Sequence, residues 1–210
     1  HISNEESLIY AAVQSDNIEM FLEIMKVREI KFEDLVQYRS PVVVEDEQHY
    51  LPCSYPPKKK SVLESDEDDS EGSSDDDYAC KNAEDTVFGR AVEKNSISIV
   101  NLLLDNGITD NFPEGCQTAL HLAIIGGHEI LVKILLDRAD SRLDQTNGRL
   151  QTPLMMAVMG GHVRIANVIA QHRGAGLLRD DFEGMTILHH AAKLGDMKML
   201  KVLRMAIISW

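Results

Sequence analysis

Cysteine is scarce in this 210-residue chain, and the three present, Cys53, Cys80 and Cys116, lie far apart. They form no C-x-x-C pair and, being odd in number, no disulfide framework, so a reducing cytoplasmic or nuclear location is expected. Aromatic residues are only 5% of the chain, too few for a core built around large rings. No apolar run approaches the ~18 residues of a membrane span. Residues 1–30 carry Glu5, Glu6, Asp16 and Glu19 where a secretory signal needs an apolar stretch. Basic residues are outnumbered, 21 Lys and Arg against 34 Asp and Glu, for a formal net charge of −13. That balance argues against nucleic acid, whose phosphates require clustered cations. There is no G-x-x-x-x-G-K-[ST], G-x-S-x-G or H-E-x-x-H, and no glycine-rich dinucleotide loop. The chain is therefore expected to be non-enzymatic, with no cofactor and no metal.

What the chain does have is a repeat. Thr118-Ala-Leu-His-Leu-Ala123, Thr152-Pro-Leu-Met-Met-Ala157 and Thr186-Ile-Leu-His-His-Ala191 start 34 residues apart. A fixed period of this length signals stacked supersecondary units. Within one unit, Thr118 suits an N-cap and Gly126-Gly127 a helix stop. Ile130, Leu131, Ile134 and Leu135 then give a second helix one apolar face. Neither helix is long enough to stand alone in water, so each must bury its face against its neighbours. Thr86-Val-Phe-Gly-Arg-Ala91 begins an earlier copy whose second helix, Ile97 to Leu104, ends at Gly107. Ser7-Leu-Ile-Tyr-Ala-Ala12 begins a first, degenerate copy, 79 residues before its successor.

Thr118-Ala-Leu-His-Leu-Ala123 with Gly127-His128, and Thr152-Pro-Leu154 with Gly161-His162, resemble ankyrin repeats. The resemblance implies an all-α solenoid of helix-turn-helix units with short hairpin fingers. The expected organisation is a degenerate repeat over 1–39, an insertion over 40–83, and four repeats at about 84–115, 116–149, 150–183 and 184–210. The last of these stops inside or just after its second helix, at an apolar end that suggests further repeats. Met155 replaces the signature histidine of the fourth copy, and Asp196 stands where His128 and His162 stand. Short stretches around Gln117–Ala123 and Thr152–His162 are similar to repeats of IκB-type inhibitors and of phosphatase-regulatory scaffolds, and many ankyrin proteins share them.

The insertion contains Pro41, Pro52, Pro56 and Pro57 and the acidic run from Glu64 to Asp77, a composition that cannot repay the entropy of ordering. Ser65, Ser73 and Ser74 each have an acid three residues on and resemble substrates of acidophilic kinases; the plainer reading is a solubilising linker. Calcium is not expected, because a loop with Gly72 at position 6 has Tyr78 at position 12 in place of the closing Glu. Lys58-Lys59-Lys60 reads as counter-charge before it reads as a nuclear import patch. The one-per-unit spacing of His121, His128, His162 and His189 follows the architecture, which argues against metal ligation.

In ankyrin proteins partners dock on the concave face, formed by the fingers and the ends of the first helices. Carried onto this chain, the candidates are Glu93, Lys94, Ile125, Met159, Lys193 and Leu194 at the helix ends. In the fingers they are Arg149, Gln151 and Phe182, with Glu114, Cys116, Asp181 and Glu183 alongside. Ile125, Met159 and Leu194 are expected to form an apolar strip, which marks a binding surface if exposed and core if buried. The expected function is an interaction module, an adaptor, scaffold or masking subunit, binding one other protein as a monomer. One alternative is the recognition arm of a larger enzyme or channel. Another is an acidic-tract chaperone of a basic protein, in which residues 64–77 bind.

Overall fold

In the computed structural model, residues 4–36, 86–109, 116–138, 143–172 and 174–208 are described. The expected insertion, its serines and Glu114 lie outside these residues. Among the described residues ten α-helices form five antiparallel pairs: α1 (Asn4–Gln14) with α2 (Ile18–Val27), α3 (Val87–Glu93) with α4 (Ile97–Asp105), and α5 (Ala119–Ile125) with α6 (Glu129–Arg138). They continue with α7 (Pro153–Met159) and α8 (Val163–Ala170), then α9 (Ile187–Leu194) and α10 (Met197–Ile208). A 3-10 turn at Phe32–Val36 follows α2 and packs on α3. The described residues contain no named strand; an isolated antiparallel bridge joins Asp180 and Thr186.

The threonines of the period start the first helices. Thr86 Oγ1 accepts Gly89 N–H at 3.0 Å, Thr118 Oγ1 accepts His121 N–H at 3.3 Å and Thr152 Oγ1 accepts Met155 N–H at 3.2 Å. Each satisfies an otherwise orphaned helical donor, a cap that contributes about 1 kcal/mol. Every pair is then turned by one left-handed residue: Asp16, Asn95, Gly127, Gly161 and Gly195, with φ of 48, 57, 67, 70 and 71°.

First helices stack on first helices (α1, α3, α5, α7, α9), and α4, α6, α8 and α10 form a second layer. Between the layers run columns of residues at i and i+4 of the second helices. Ile99 and Leu103, Leu131 and Leu135, Ile165 and Ile169, and Met199 and Leu203 are all buried. Burying each such side chain contributes about 1.5–3 kcal/mol, which the seven- to twelve-residue helices cannot obtain alone.

The first pair joins the stack through side chains reaching across the insertion. Ser96 Oγ donates to the Val13 carbonyl at 2.6 Å, and the Asp16 carboxylate accepts Ser98 N–H at 3.4 Å and Ile99 N–H at 3.2 Å. Asp16 thus satisfies the first-turn donors of α4, whose own N-cap Ser96 makes no side-chain cap. Later pairs are tied on the outer layer by Arg138, which reaches back to Asp105 and to Asn101 Oδ1.

Candidate interaction face

The last residue of α1, α3, α5 and α7 and the next-to-last of α9 occupy one column of the stack: Gln14, Glu93, Ile125, Met159 and Lys193. Ile125 is 54% exposed and Met159 43%; Lys193 is exposed beside them. Glu93 is tied to Arg90 at 2.5 Å and to Lys94 at 3.1 Å, so its charge is held by its own neighbours. The column therefore runs from an internally paired acid, through two apolar side chains, to a base.

Leu194 is exposed but does not continue this column, unlike the strip expected from the sequence. Its counterparts are Gly126 and Gly160, and the chemistry of those glycines explains the difference. A Cβ on Gly126 would lie 2.3 Å from the His128 ring, and one on Gly160 would lie 2.7 Å from the ring of His162. His128 Nε2 in turn donates to the Glu93 carbonyl of the preceding pair at 3.1 Å. The ring of His162 covers Gly127 in the same way. In the fifth pair Asp196 replaces the histidine and caps α10 through Lys198 N–H at 2.8 Å. With no ring to clear, position 194 accepts leucine, whose Cδ2 approaches the Cβ site of Gly161 at 4.0 Å.

Two fingers are built by an identical device. Asn147 Oδ1 accepts Arg149 N–H and Gln151 N–H, and Asp181 Oδ1 accepts Glu183 N–H and Met185 N–H, at 2.9–3.1 Å. Left-handed Leu150 and Gly184 close the two turns. Phe182 N–H donates to the Arg149 carbonyl at 3.0 Å, which fixes one finger against the next. Phe182 is 63% exposed at that junction, and Arg149 is exposed with it. Gln151 is turned inward: it accepts from Asn147 Nδ2 at 3.0 Å and its amide lies 3.5 Å from Met159 Sδ. It thus reaches the candidate face by supporting Met159, not as a contact. Cys116 is fully buried and Asp181 is buried too.

The histidines divide by role. His121 is fully buried, and its Nδ1 accepts Thr118 N–H at 3.2 Å, so the neutral ring carries its proton on Nε2. Burial pushes its pKa down to about 4, partly opposed by the Gln151 backbone of the next pair. His189 repeats the link to Thr186 at 3.1 Å but is exposed. Its neighbour His190 points the other way and donates from Nε2 to Asp181 Oδ2 at 2.8 Å. The buried carboxyl of Asp181 is pushed up by desolvation. The Met185 and Glu183 amides and His190 outweigh that push, so its pKa lies below the ordinary carboxylate value. This pair was missed by sequence reasoning. Its only signal was register, since Asp181 and His190 occupy the positions of Asn147 and Met156 one repeat earlier. Among the described residues no three metal-ligating side chains converge.

Two layers of short helix pairs, with threonine caps, left-handed turns and carboxamide- or carboxylate-built fingers, define a repeat solenoid. A family model described as ankyrin repeats (3 copies) matches residues 88–177 and 140–208, more than half of the chain. The chain belongs to the ankyrin-repeat family, whose repeats are in general protein–protein interaction modules and typically non-catalytic. No curated protein matches it. Among the described residues no helix is long and apolar enough to cross a membrane.

Proposed function

We propose that this chain is a non-enzymatic recognition module, an adaptor or masking subunit of the cytoplasm or nucleus, that holds a partner protein along its concave face. The observation that carries the reading is the exposure of Ile125 and Met159 side by side, with Phe182 standing out from a finger pinned to its neighbour. Exposed apolar groups on rigid elements lose little entropy on binding, and aromatic anchors concentrate binding energy. Lys193 and Arg149 flank the apolar centre, and among the described residues neither makes a side-chain ion pair within 4.0 Å. They favour a partner segment with apolar side chains followed by acidic ones.

The test is affinity capture with the full chain and with an Ile125→Ala, Met159→Ala, Phe182→Ala variant, each checked by circular dichroism. The expected outcome is a partner retained by the native chain and lost by the variant, with an unchanged helical signal. Equal capture by both would move the binding surface elsewhere.

A further inference from the structure

The sulfur of Met159 carries two lone pairs, and the fold treats them differently. Gln151 Nε2 donates to Met159 Sδ at 3.5 Å, where the thioether is a weak acceptor. The side chain is otherwise open, since Met159 is 43% exposed. One lone pair is thus covered by an amide and the other is accessible. Met20, Met197 and Met205 are exposed as well, so exposure alone does not set Met159 apart from them. Among the described residues, the amide on its sulfur does.

The orientation of that amide follows from its neighbours. Asn147 Oδ1 accepts two backbone amides, those of Arg149 and Gln151, at 2.9 and 3.1 Å. Its nitrogen is thereby turned the other way, donating to Gln151 Oε1 at 3.0 Å and to Met156 Sδ at 3.5 Å. With Oε1 taken by that donor, Nε2 is the end of the Gln151 amide that faces Met159. Asn147 and Gln151 are both buried, which shields the network from water. A chain of hydrogen bonds that starts on the finger backbone therefore ends on one side of the Met159 sulfur.

We propose that Met159 is a site of reversible oxidation by hydroperoxides at which one sulfoxide epimer forms in excess. The uncovered lone pair of Sδ attacks the terminal oxygen of the hydroperoxide. An S–O bond forms as the O–O bond breaks, and the alkoxide or hydroxide that leaves takes up the proton of the transferred hydroxyl. Sulfur gives up two electrons and the peroxide receives them, and sulfoxide reductases reverse the change. Attack through the covered lone pair must first break the Gln151 bond and gives the opposite configuration at sulfur. The product sets a polar S–O group between Ile125 and Lys193, in the middle of the exposed column. The weaker partner binding that this implies rests on the recognition role proposed above; the choice of epimer does not.

The probe is hydrogen peroxide at a limiting dose, applied to the full native chain, to the same chain in urea, and to a Gln151→Leu variant whose helical circular dichroism is native. Peptide chromatography with mass spectrometry quantifies the two Met159 sulfoxide epimers. Each is identified by which of the two stereospecific methionine sulfoxide reductases, supplied with a dithiol, removes it. In the native chain one epimer should exceed the other about fivefold, the factor for breaking one weak hydrogen bond. In urea and in the variant the two should form in near-equal amounts. Equal epimers in the native chain overturn the proposal, and so does an excess that persists in urea or in the variant. The comparison with urea needs no substitution, so a variant that does not fold leaves the test intact. Epimers are read on peptides with no partner present, which keeps a failed ratio distinct from a failed recognition role.

Discussion

Replacing Gly126 by alanine tests the contact that joins one repeat to the one before it. The new Cβ would sit 2.3 Å from His128 Nε2, more than 1 Å inside the ordinary contact distance of about 3.5 Å. Backbone geometry raises no objection, since Gly126 is right-handed at φ −71° and ψ −9°. Alanine would there gain about 0.4–1 kcal/mol by restricting the unfolded chain. The ring must instead swing away, breaking its 3.1 Å bond to the Glu93 carbonyl, a net loss of about 1 kcal/mol before packing is counted. Displacing the ring also loosens the preceding pair, so Gly126→Ala should destabilise by about 1–2 kcal/mol. His128→Ala alone should cost about 1 kcal/mol. In the double variant the obstacle is gone and the alanine is welcome, so it should be at least as stable as His128→Ala. Urea unfolding followed by circular dichroism measures all three, and the coupling should be about 1–2 kcal/mol with the second substitution rescuing the first. Simple additivity would refute the ring-clearance argument. The fifth pair is the chain's own version of the double variant, with Leu194 and Asp196 standing where glycine and histidine stand in the third and fourth. Gly127→Ala serves as a contrast. Its φ of 67° costs an L-residue about 1–2 kcal/mol whatever occupies position 162.

Two further outcomes are expected. His121 is neutral in the fold with a pKa near 4, below its ordinary 6.5. The unfolded chain therefore binds more protons between those values, and stability is complete above about pH 6.5 and lost as pH falls toward 4. The loss amounts to up to about 3 kcal/mol. Unfolding free energies across that window should show the slope in the native chain, and a His121→Gln variant with an equal slope would refute the assignment. The Asp181 contribution has the opposite type of origin, a lowered carboxyl, and disappears only below about pH 3.8, so the two separate. Asp16→Ala removes the acceptor for Ser98 and Ile99 N–H and should cost about 1 kcal/mol. Its specific mark is faster amide exchange across residues 4–36 with little change beyond residue 116, and uniform acceleration would mean that the first pair is not held this way.

The period was legible because it is local physics. Thr86, Thr118 and Thr152 cap their own helices, each turn glycine reverses its own chain, and the i, i+4 apolar pairs lie on one helical face whatever surrounds them. Exposure of Ile125 and Met159 was legible only as one of two alternatives, because side-chain burial depends on what stacks beside it. Leu194 misled through phase: it precedes Gly195 as Ile125 precedes Gly126, but it occupies the glycine column. Gln151 gave no sign that its amide would be spent on Asn147 and Met159. The Asp181–His190 bond crosses from finger to helix, and nothing in a run of residues announces a contact between two turns of different kinds.

The sequence by itself determined the unit, the starts of its first helices after Thr86, Thr118, Thr152 and Thr186, and the all-α class, because turns and helical periodicity act over a few residues. Only the tertiary structure decided which members of each repeating column are covered. A histidine at one register is buried and neutral at position 121 and exposed at 189, and a leucine is core at 154 and surface at 188. The cause is the same in both: at positions 121 and 154 water is excluded by the pair that follows, and among the described residues no pair follows α10.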